Sequence, residues 1–325
     1  MTLSGAVGLS IAAAVISTVV YLAILISLDR HEKEPWRLMA FVFCFGAVPS
    51  VLLALFAELA VQVPLARYAS GETLGVLYVS VAAPIIEELC KALPVVAIYW
   101  YFRHEFDGLL DGLLYGSLSG FGFAMTENVF YFVRTFSHDQ LLGWQVVALR
   151  AVVFGVNHAL YCSCLGLGLA EARWSKKPAV RILAPVLGLA AGIGLHMFHN
   201  YSVSTSGTWI PAMLSNWTGA LLWLLLVAAA LRQEGRWIEE ELAEEVHAGL
   251  ISEDDIHIVT HNRERVHAKL AALRHVPAQQ LNHYYSLLAE LAFKKRQARL
   301  HPDDTVAAQL VNELRDEIQW FAQQV

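Results

Sequence analysis

Apolar positions in this chain fall in long, nearly unbroken runs rather than in alternating or helical stripes. Seven runs, near residues 7–28, 38–61, 73–101, 109–133, 142–170, 180–201 and 210–231, are long enough to cross a bilayer as helices. The pattern changes after residue 231. From Glu239 onward apolar residues recur at helical spacing among charges, as in Val266, Leu270 and Leu273, then Leu281, Leu287, Leu288 and Leu291. Breaks at Pro277 and Pro302 divide this part into several amphipathic helices. The expected fold is all-α: a polytopic membrane protein of about seven transmembrane helices over residues 1–231, then a small soluble helical module over 232–325. The first run has no basic leader or Ala-x-Ala site, so it is expected to be a span rather than a cleaved signal.

Composition sharpens the division. The 325 residues are 56% hydrophobic and 16% charged, with mean hydropathy +0.47, the profile of a membrane protein. Residues 1–231 carry 25 charges and the much shorter remainder carries 27, so the charge is concentrated outside the membrane. Eight basic residues (Arg30, Lys33, Arg37, Arg103, Arg173, Lys176, Lys177, Arg181) lie in the loops after spans 1, 3 and 5. Two, Arg67 and Arg134, follow spans 2 and 4. The positive-inside rule then places the N-terminus outside and the C-terminal module in the cytoplasm, and Arg232 and Arg236 agree. A net charge of −6 points away from nucleic acid. Cys44, Cys90, Cys162 and Cys164 all fall in apolar runs and read as small buried hydrophobes, not a disulfide framework. The tail histidines, His247, His257, His261, His267, His275, His283 and His301, show no ligand spacing on one helical face.

Four consecutive spans carry ionisable or amide groups, while the first, second and last are nearly blank. Span 3 has Glu87, Glu88 and Lys91; span 4 has Glu127 and Asn128; span 5 has Arg150, Asn157 and His158; span 6 has His196, His199 and Asn200. Glu58 and Asp111 stand near run ends and are expected to reach the interface. A charge at mid-membrane costs roughly 2.5–3.5 kcal/mol even on mild scales, so such groups pair, coordinate or react. Lys91 can pair with one carboxylate at helical spacing, which leaves the other over. At about 1.5 Å per residue, Glu87, Glu127, His158 and His196 all fall within or near the hydrocarbon slab. Pro84 and Pro94 flank Glu87–Lys91 and are expected to free backbone carbonyls there. Gly112, Gly116 and Gly120 form a four-residue stripe suited to close helix packing.

This set suits peptide hydrolysis, which needs an activated water, a base and a group to hold the oxyanion. Two histidines and a carboxylate form a known zinc set with an open position for water. On that reading His158, His196 and Glu127 hold Zn2+ or another divalent metal. Glu87 or Glu88 is the base, Asn200 holds the oxyanion or orients water, and Lys91 and Arg150 supply counter-charge. Asn128 and His199 are supporting groups. The alternative is metal-free: a glutamate activates water directly while the histidines and Asn200 stabilise the oxyanion. From another class, chains of Glu, His and Lys within spans also build proton relays, so a proton- or cation-coupled transporter fits; no inverted repeat supports it. A seven-span sensor ranks lowest, because nothing in the tail looks like an output domain.

A family resemblance bears on the choice. Glu87-Glu88-Leu89-Cys90-Lys91 resembles the Glu-Glu-x-x-Lys motif of the PrsW family of intramembrane proteases. Phe123 to Asn128 resembles that family's Phe-x-x-x-Glu motif with its following Asn, and His158, eight residues after Arg150, matches the third element. His196-Met197-Phe198-His199-Asn200 resembles the last, and also the His-x-x-x-Asn of the wider CAAX prenyl endopeptidase and bacteriocin-processing superfamily. That superfamily usually has Arg at the place of Lys91 and His at the place of Glu127, so the likeness is to the PrsW branch. It covers residues 30–205 and implies a multi-pass protease of the bacterial cell membrane acting on a membrane-bound protein. Some members cleave anti-sigma factors. The family is commonly described as metalloprotease, and its glutamate-protease relatives keep both mechanisms open.

Overall fold

The computed structural model describes residues 2–29, 31, 33–68, 72–106, 108–205, 209–261, 264–265, 278–300, 302 and 305–322. Arg30, Val266, His267, Leu270, Leu273, His275, Pro277 and His301 from the sequence reading lie outside them. The described residues are helical throughout, without strands, and the protein is an all-α membrane protein. They fall into two compact units, one of residues 1–27 and 35–226, the other of 28–34 and 227–325.

The first unit contains helices α1 (Leu3–Leu28), α2 (Trp36–Phe45), α3 (Val51–Tyr68), α4 (Glu72–Leu77), α5 (Ala83–Tyr101), α6 (Leu109–His138), α7 (Gln140–Val147), α8 (Asn157–Trp174) and α9 (Pro178–Ser204). It also takes the first part of α10 (Trp209–His247). Five stretches are long and apolar enough to span: Leu3–Leu28, Trp36–Pro64, Gln140–Trp174, Pro178–Ser204 and Ile210–His247. The other two expected spans are also helical, over 72–101 and Leu109–His138. The apolar faces point outward, as a lipid solvent requires. On α9, Ile182, Leu183, Val186 and Leu187 are exposed while His196 is buried.

Among the described residues three π-helical turns interrupt these helices, at Gly46–Ser50, Tyr78–Ala82 and Ala148–Val153. Such turns, like proline, strip carbonyls of their helical partners, and in a bilayer those carbonyls must find others. They do. Pro94 cannot donate to the Cys90 carbonyl four residues back, and the Ser50 hydroxyl donates to it instead at 2.9 Å. Pro84 cannot serve the Val79 carbonyl five residues back, and Asn200 Nδ2 donates there at 3.0 Å. The turn before α8 leaves Ala151 and Val153 carbonyls to Tyr21 (2.7 Å) and Asn216 (2.5 Å). Span 5 is therefore not one continuous helix. It breaks at Phe154–Val156, and His158 is the second residue of the helix that restarts there.

The glycine stripe of α6 brings α8 close. A Cβ on Gly112, Gly116 or Gly120 would strike the α8 backbone at Gly166, Cys162–Ser163 and His158 respectively. The core around this contact includes Leu25, Val42, Val95, Ile98, Leu118, Phe121 and Cys162. Packing thus fixes the start of α8 against α6.

The second unit holds the end of α10, α11 (Glu253–Thr260), α12 (Ala278–Leu300) and α13 (Thr305–Ala322). Ile238, Leu242, Leu288, Leu291 and Ile318 are buried in it. Its charges are paired across helices. Glu245 accepts from Lys295 Nζ at 2.6 Å and from Arg315 Nη2 at 2.6 Å, and Glu241 pairs with Arg299. The sequence reading ends the last span at 231, but α10 continues unbroken to His247. Good helix formers (Leu, Arg, Glu, Ala) fill that stretch and no proline interrupts it.

Candidate active site

Lys91 is fully buried on α5, and its ammonium has three acceptors for three protons. Nζ lies 2.6 Å from Glu88 Oε1, 2.9 Å from His158 Nδ1 and 3.4 Å from Glu87 Oε2. Nζ also lies 4.3 Å from the centre of the Phe123 ring. A lysine without this shell would not be tolerated in such an interior. The expectation that one carboxylate would be left over is met in modified form: Glu88 is held tightly, Glu87 loosely.

Each histidine has one nitrogen occupied by a carboxylate. His196 Nδ1 lies 2.8 Å from Glu88 Oε1, which leaves Nε2 facing Glu87 Oε2 at 3.9 Å. His158 Nε2 lies 2.9 Å from Glu127 Oε2, which leaves Nδ1 facing Lys91. Glu127 is in turn gripped by Arg150 Nη2 at 2.6 Å, while Arg150 Nε donates to Asn128 Oδ1 at 2.7 Å and its guanidinium covers Tyr131 at 3.9 Å. The two imidazoles stand edge to face, 5.1 Å apart, with His196 stacked on Tyr161.

All of this borders a cavity of about 500 Å3 among the helices, lined by Glu87, Glu127, Arg150, His158 and His196 together with Glu58. Glu88 and Lys91 stand behind it. Ligand atoms, one each from Glu87, His158 and His196, lie within 4.8 Å of one another, the spacing of a metal-binding group, although Lys91 Nζ already stands 2.9 Å from His158 Nδ1. Two histidines and one carboxylate with second nitrogens tied to carboxylates match the usual make-up of such a centre. The residues therefore fit a divalent metal, though with Glu87 where the sequence reading put Glu127. Glu127 sits one step back, on the far nitrogen of His158.

The remaining expected residues lie on the cavity wall. His199 Nδ1 receives Asn157 Nδ2 at 3.2 Å, and its ring meets Phe154 edge-on at 4.7 Å. Asn200 lines the cavity with one amide N–H spent on the Val79 carbonyl. Glu58 was expected at the interface; it is half-buried and faces this same cavity, with no hydrogen bond or ion pair among the described residues. Tyr78, whose buried hydroxyl has no partner among the described residues, also lines it. Its place on a π turn could not be read from sequence. All four cysteines are free; the burial expected of them holds for Cys162 alone, since Cys90 and Cys164 are half-buried and Cys44 is exposed.

Comparison with known proteins gives this geometry a context. Residues 34–231 match the family model described as PrsW family intramembrane metalloprotease. The chain is 27% identical over 189 residues to the protease PrsW of Clostridioides difficile strain 630, covering 58% of this chain and 76% of that one. It is 28% identical over 187 residues to the protease PrsW of Bacillus subtilis strain 168, covering 57% and 78%. The protease PrsW of Geobacillus kaustophilus is 28% identical over 152 residues, covering 46% and 60%. No solved structure matches significantly. With well over half its length matched, and with the motif residues gathered at one cavity, the chain belongs to the PrsW family of intramembrane proteases.

Proposed function

We propose that this protein is an endopeptidase that cleaves a membrane-bound protein within or beside the bilayer, with Glu87 as the base that activates water. One observation carries the reading: Glu87, His158 and His196 present converging donor atoms on a cavity inside the helical unit. Glu87 Oε2 is turned toward Lys91 and His196, and Oε1 has no hydrogen bond among the described residues. Oε1 is the atom left to take a proton from water. The water oxygen adds to the scissile carbonyl carbon, Glu87 accepts its proton, and the same carboxyl returns that proton to the departing amine as the C–N bond breaks. The second amide N–H of Asn200 and the hydroxyl of Tyr78 are placed to hold the oxyanion. Glu88 has a fixed role instead: it neutralises Lys91 and orients His196.

A divalent metal, Zn2+ being the fitting case, would be held by Glu87, His158 and His196. When bound it supplies a Lewis acid that polarises the carbonyl and acidifies water. Glu127 and Glu88 then fix the tautomers of the two histidines. A metal-free reading is favoured by a different observation. The Lys91 ammonium already stands between Glu87, Glu88 and His158, so a positive charge is built into the donor set. Metal content of the purified protein separates them. About one metal per chain, lost in His158→Ala and His196→Ala but retained in Glu127→Gln, supports the metal reading. Cleavage by a protein free of metal supports the second. A protein that cleaves no membrane substrate under either condition refutes both.

The arrangement of the whole chain follows the same reading. Residues 1–231 form the protease region with seven spans, residues 232–325 a cytoplasmic module, and the N-terminus faces outward in a bacterial cell membrane. The excess of basic residues after spans 1, 3 and 5 supports that orientation. The substrate class is a single-pass membrane protein, an anti-sigma factor being one such case. Protease protection of tags at the two ends tests the orientation.

A further inference from the structure

The second unit contains a cavity of about 550 Å3 whose lining brings three arginines together. Arg232, Arg236, Arg265, His261 and His31 line it, with Glu239 as the one carboxylate among the described lining residues. Arg232 and Arg236 stand four residues apart on α10, hence on one face. Neither makes an ion pair or hydrogen bond among the described residues. Glu239, three residues beyond Arg236, does not pair with it either. Glu234, the other nearby carboxylate, is buried and committed to His31 Nδ1 at 3.1 Å.

This is at odds with the rest of the unit. Further along α10, Glu240, Glu241, Glu244 and Glu245 are matched with Lys295, Arg296, Arg299 and Arg315. Charges there are neutralised helix against helix, yet at this cavity Arg232 and Arg236 have no carboxylate partner among the described residues. A flank of positive charge after a span accounts for Arg232 and Arg236. It does not account for Arg265 and His261, which arrive from a segment some thirty residues later and close the other side. Arg265 Nη2 is steadied by the Val259 carbonyl at 3.4 Å.

We propose that this cavity binds a phosphate-bearing anion. Three planar guanidinium forks lining one space suit the tetrahedral oxygens of a phosphate, whereas a carboxylate needs only one fork. Two sources share this chemistry. Arg232 is the first charged residue after the apolar stretch 210–231, the position at which anionic phospholipid headgroups meet a span. A free phosphate compound carries the same group in solution.

The test uses the full-length protein. Inorganic pyrophosphate is titrated into it in detergent micelles, and retention of phosphatidylglycerol against phosphatidylcholine is measured in nanodiscs. The variants are Arg232→Gln with Arg236→Gln, and Arg265→Gln alone; Arg103→Gln, an exposed arginine outside the cavity, is the control. Each cavity arginine lost is expected to weaken binding about tenfold, with the control unchanged. Pyrophosphate binding without lipid identifies a soluble ligand; selective phosphatidylglycerol retention without pyrophosphate affinity identifies a headgroup. The proposal is overturned if neither probe binds the wild type, or if the double variant binds as well as wild type. Arg232 and Arg236 are exposed and unpaired, so that variant folds even if Arg265→Gln does not.

Discussion

Glu127→Gln separates a residue that holds a catalytic histidine from one that reacts. In the wild type, Glu127 Oε2 receives Arg150 Nη2 at 2.6 Å and His158 Nε2 at 2.9 Å. Glutamine keeps the shape and one carbonyl acceptor but loses the charge that serves both donors. Two effects follow. The Arg150 guanidinium loses its counter-ion, and breaking a buried pair costs about 3–5 kcal/mol. With 23% and 21% of the two side chains exposed, the low end, about 3 kcal/mol, applies. The second effect is on chemistry: His158 is no longer held with Nδ1 toward Lys91. Loss of a group that orients a ligand costs about 10–100-fold in activity or metal affinity. Cleavage rates in proteoliposomes and thermal unfolding in detergent give the two numbers. Adding Arg150→Gln should recover most of the lost stability while activity stays low, because the orphaned charge is gone but His158 remains unheld. The reasoning fails if Glu127→Gln is as inactive as Glu87→Gln, or if it loses its metal outright; either result would return Glu127 to the reacting set.

Other perturbations have equally definite outcomes. Gly120→Ala drives a methyl group into the His158 carbonyl and must part α6 from α8; a displacement near 1 Å at His158 is expected to lower cleavage about 100-fold, while Gly8→Ala, which meets nothing, should be neutral. In the second unit, burial pushes the Asp29 carboxyl up to about 6 from its ordinary 3.8, against the lowering effects of the Glu34 N–H, Lys33 and His31. The folded state holds that proton more tightly than the unfolded one, so this residue's contribution to stability declines as pH rises from about 4 to about 6 and is flat above. Asp29→Asn keeps an acceptor for the Glu34 N–H and should remove the decline, stabilising the protein at pH 7.5 by at most about 3 kcal/mol, read from unfolding curves across pH. Glu245→Ala leaves Lys295 and Arg315 only the exposed Glu244 to share and should lower the unfolding midpoint of the second unit, leaving cleavage chemistry unchanged.

Much of the site was legible because the membrane makes polarity conspicuous. Ionisable groups in four neighbouring apolar runs had to meet, and Glu87, Lys91, Glu127, His158 and His196 do. The prolines announced where carbonyls would be freed, and Ser50 and Asn200 meet two of them. What sequence could not resolve was orientation. Glu87 and Glu88 differ by about 100° around a helix, and nothing in the string says which one faces the cavity. Glu127 was expected beside the two histidines as a ligand; it is instead paired with Arg150 at 2.6 Å and with His158 Nε2 at 2.9 Å, and Glu87 is the carboxylate grouped with the two histidines. Glu58 was placed by its nearness to a run's end, which is a statement about depth and not about facing. The π turns that aim Tyr78 and His158 arise from packing and from the competition among carbonyl acceptors, which no local propensity encodes.

The most direct measurement compares the wild type with Glu87→Gln on one single-pass membrane substrate in proteoliposomes, with unfolding midpoints recorded beside the cleavage rates. Cleavage by the wild type is expected to disappear in Glu87→Gln with the fold intact, since the side chain proposed as the base can no longer take a proton. Cleavage that persists in a folded Glu87→Gln would contradict the assignment of Glu87 as the base.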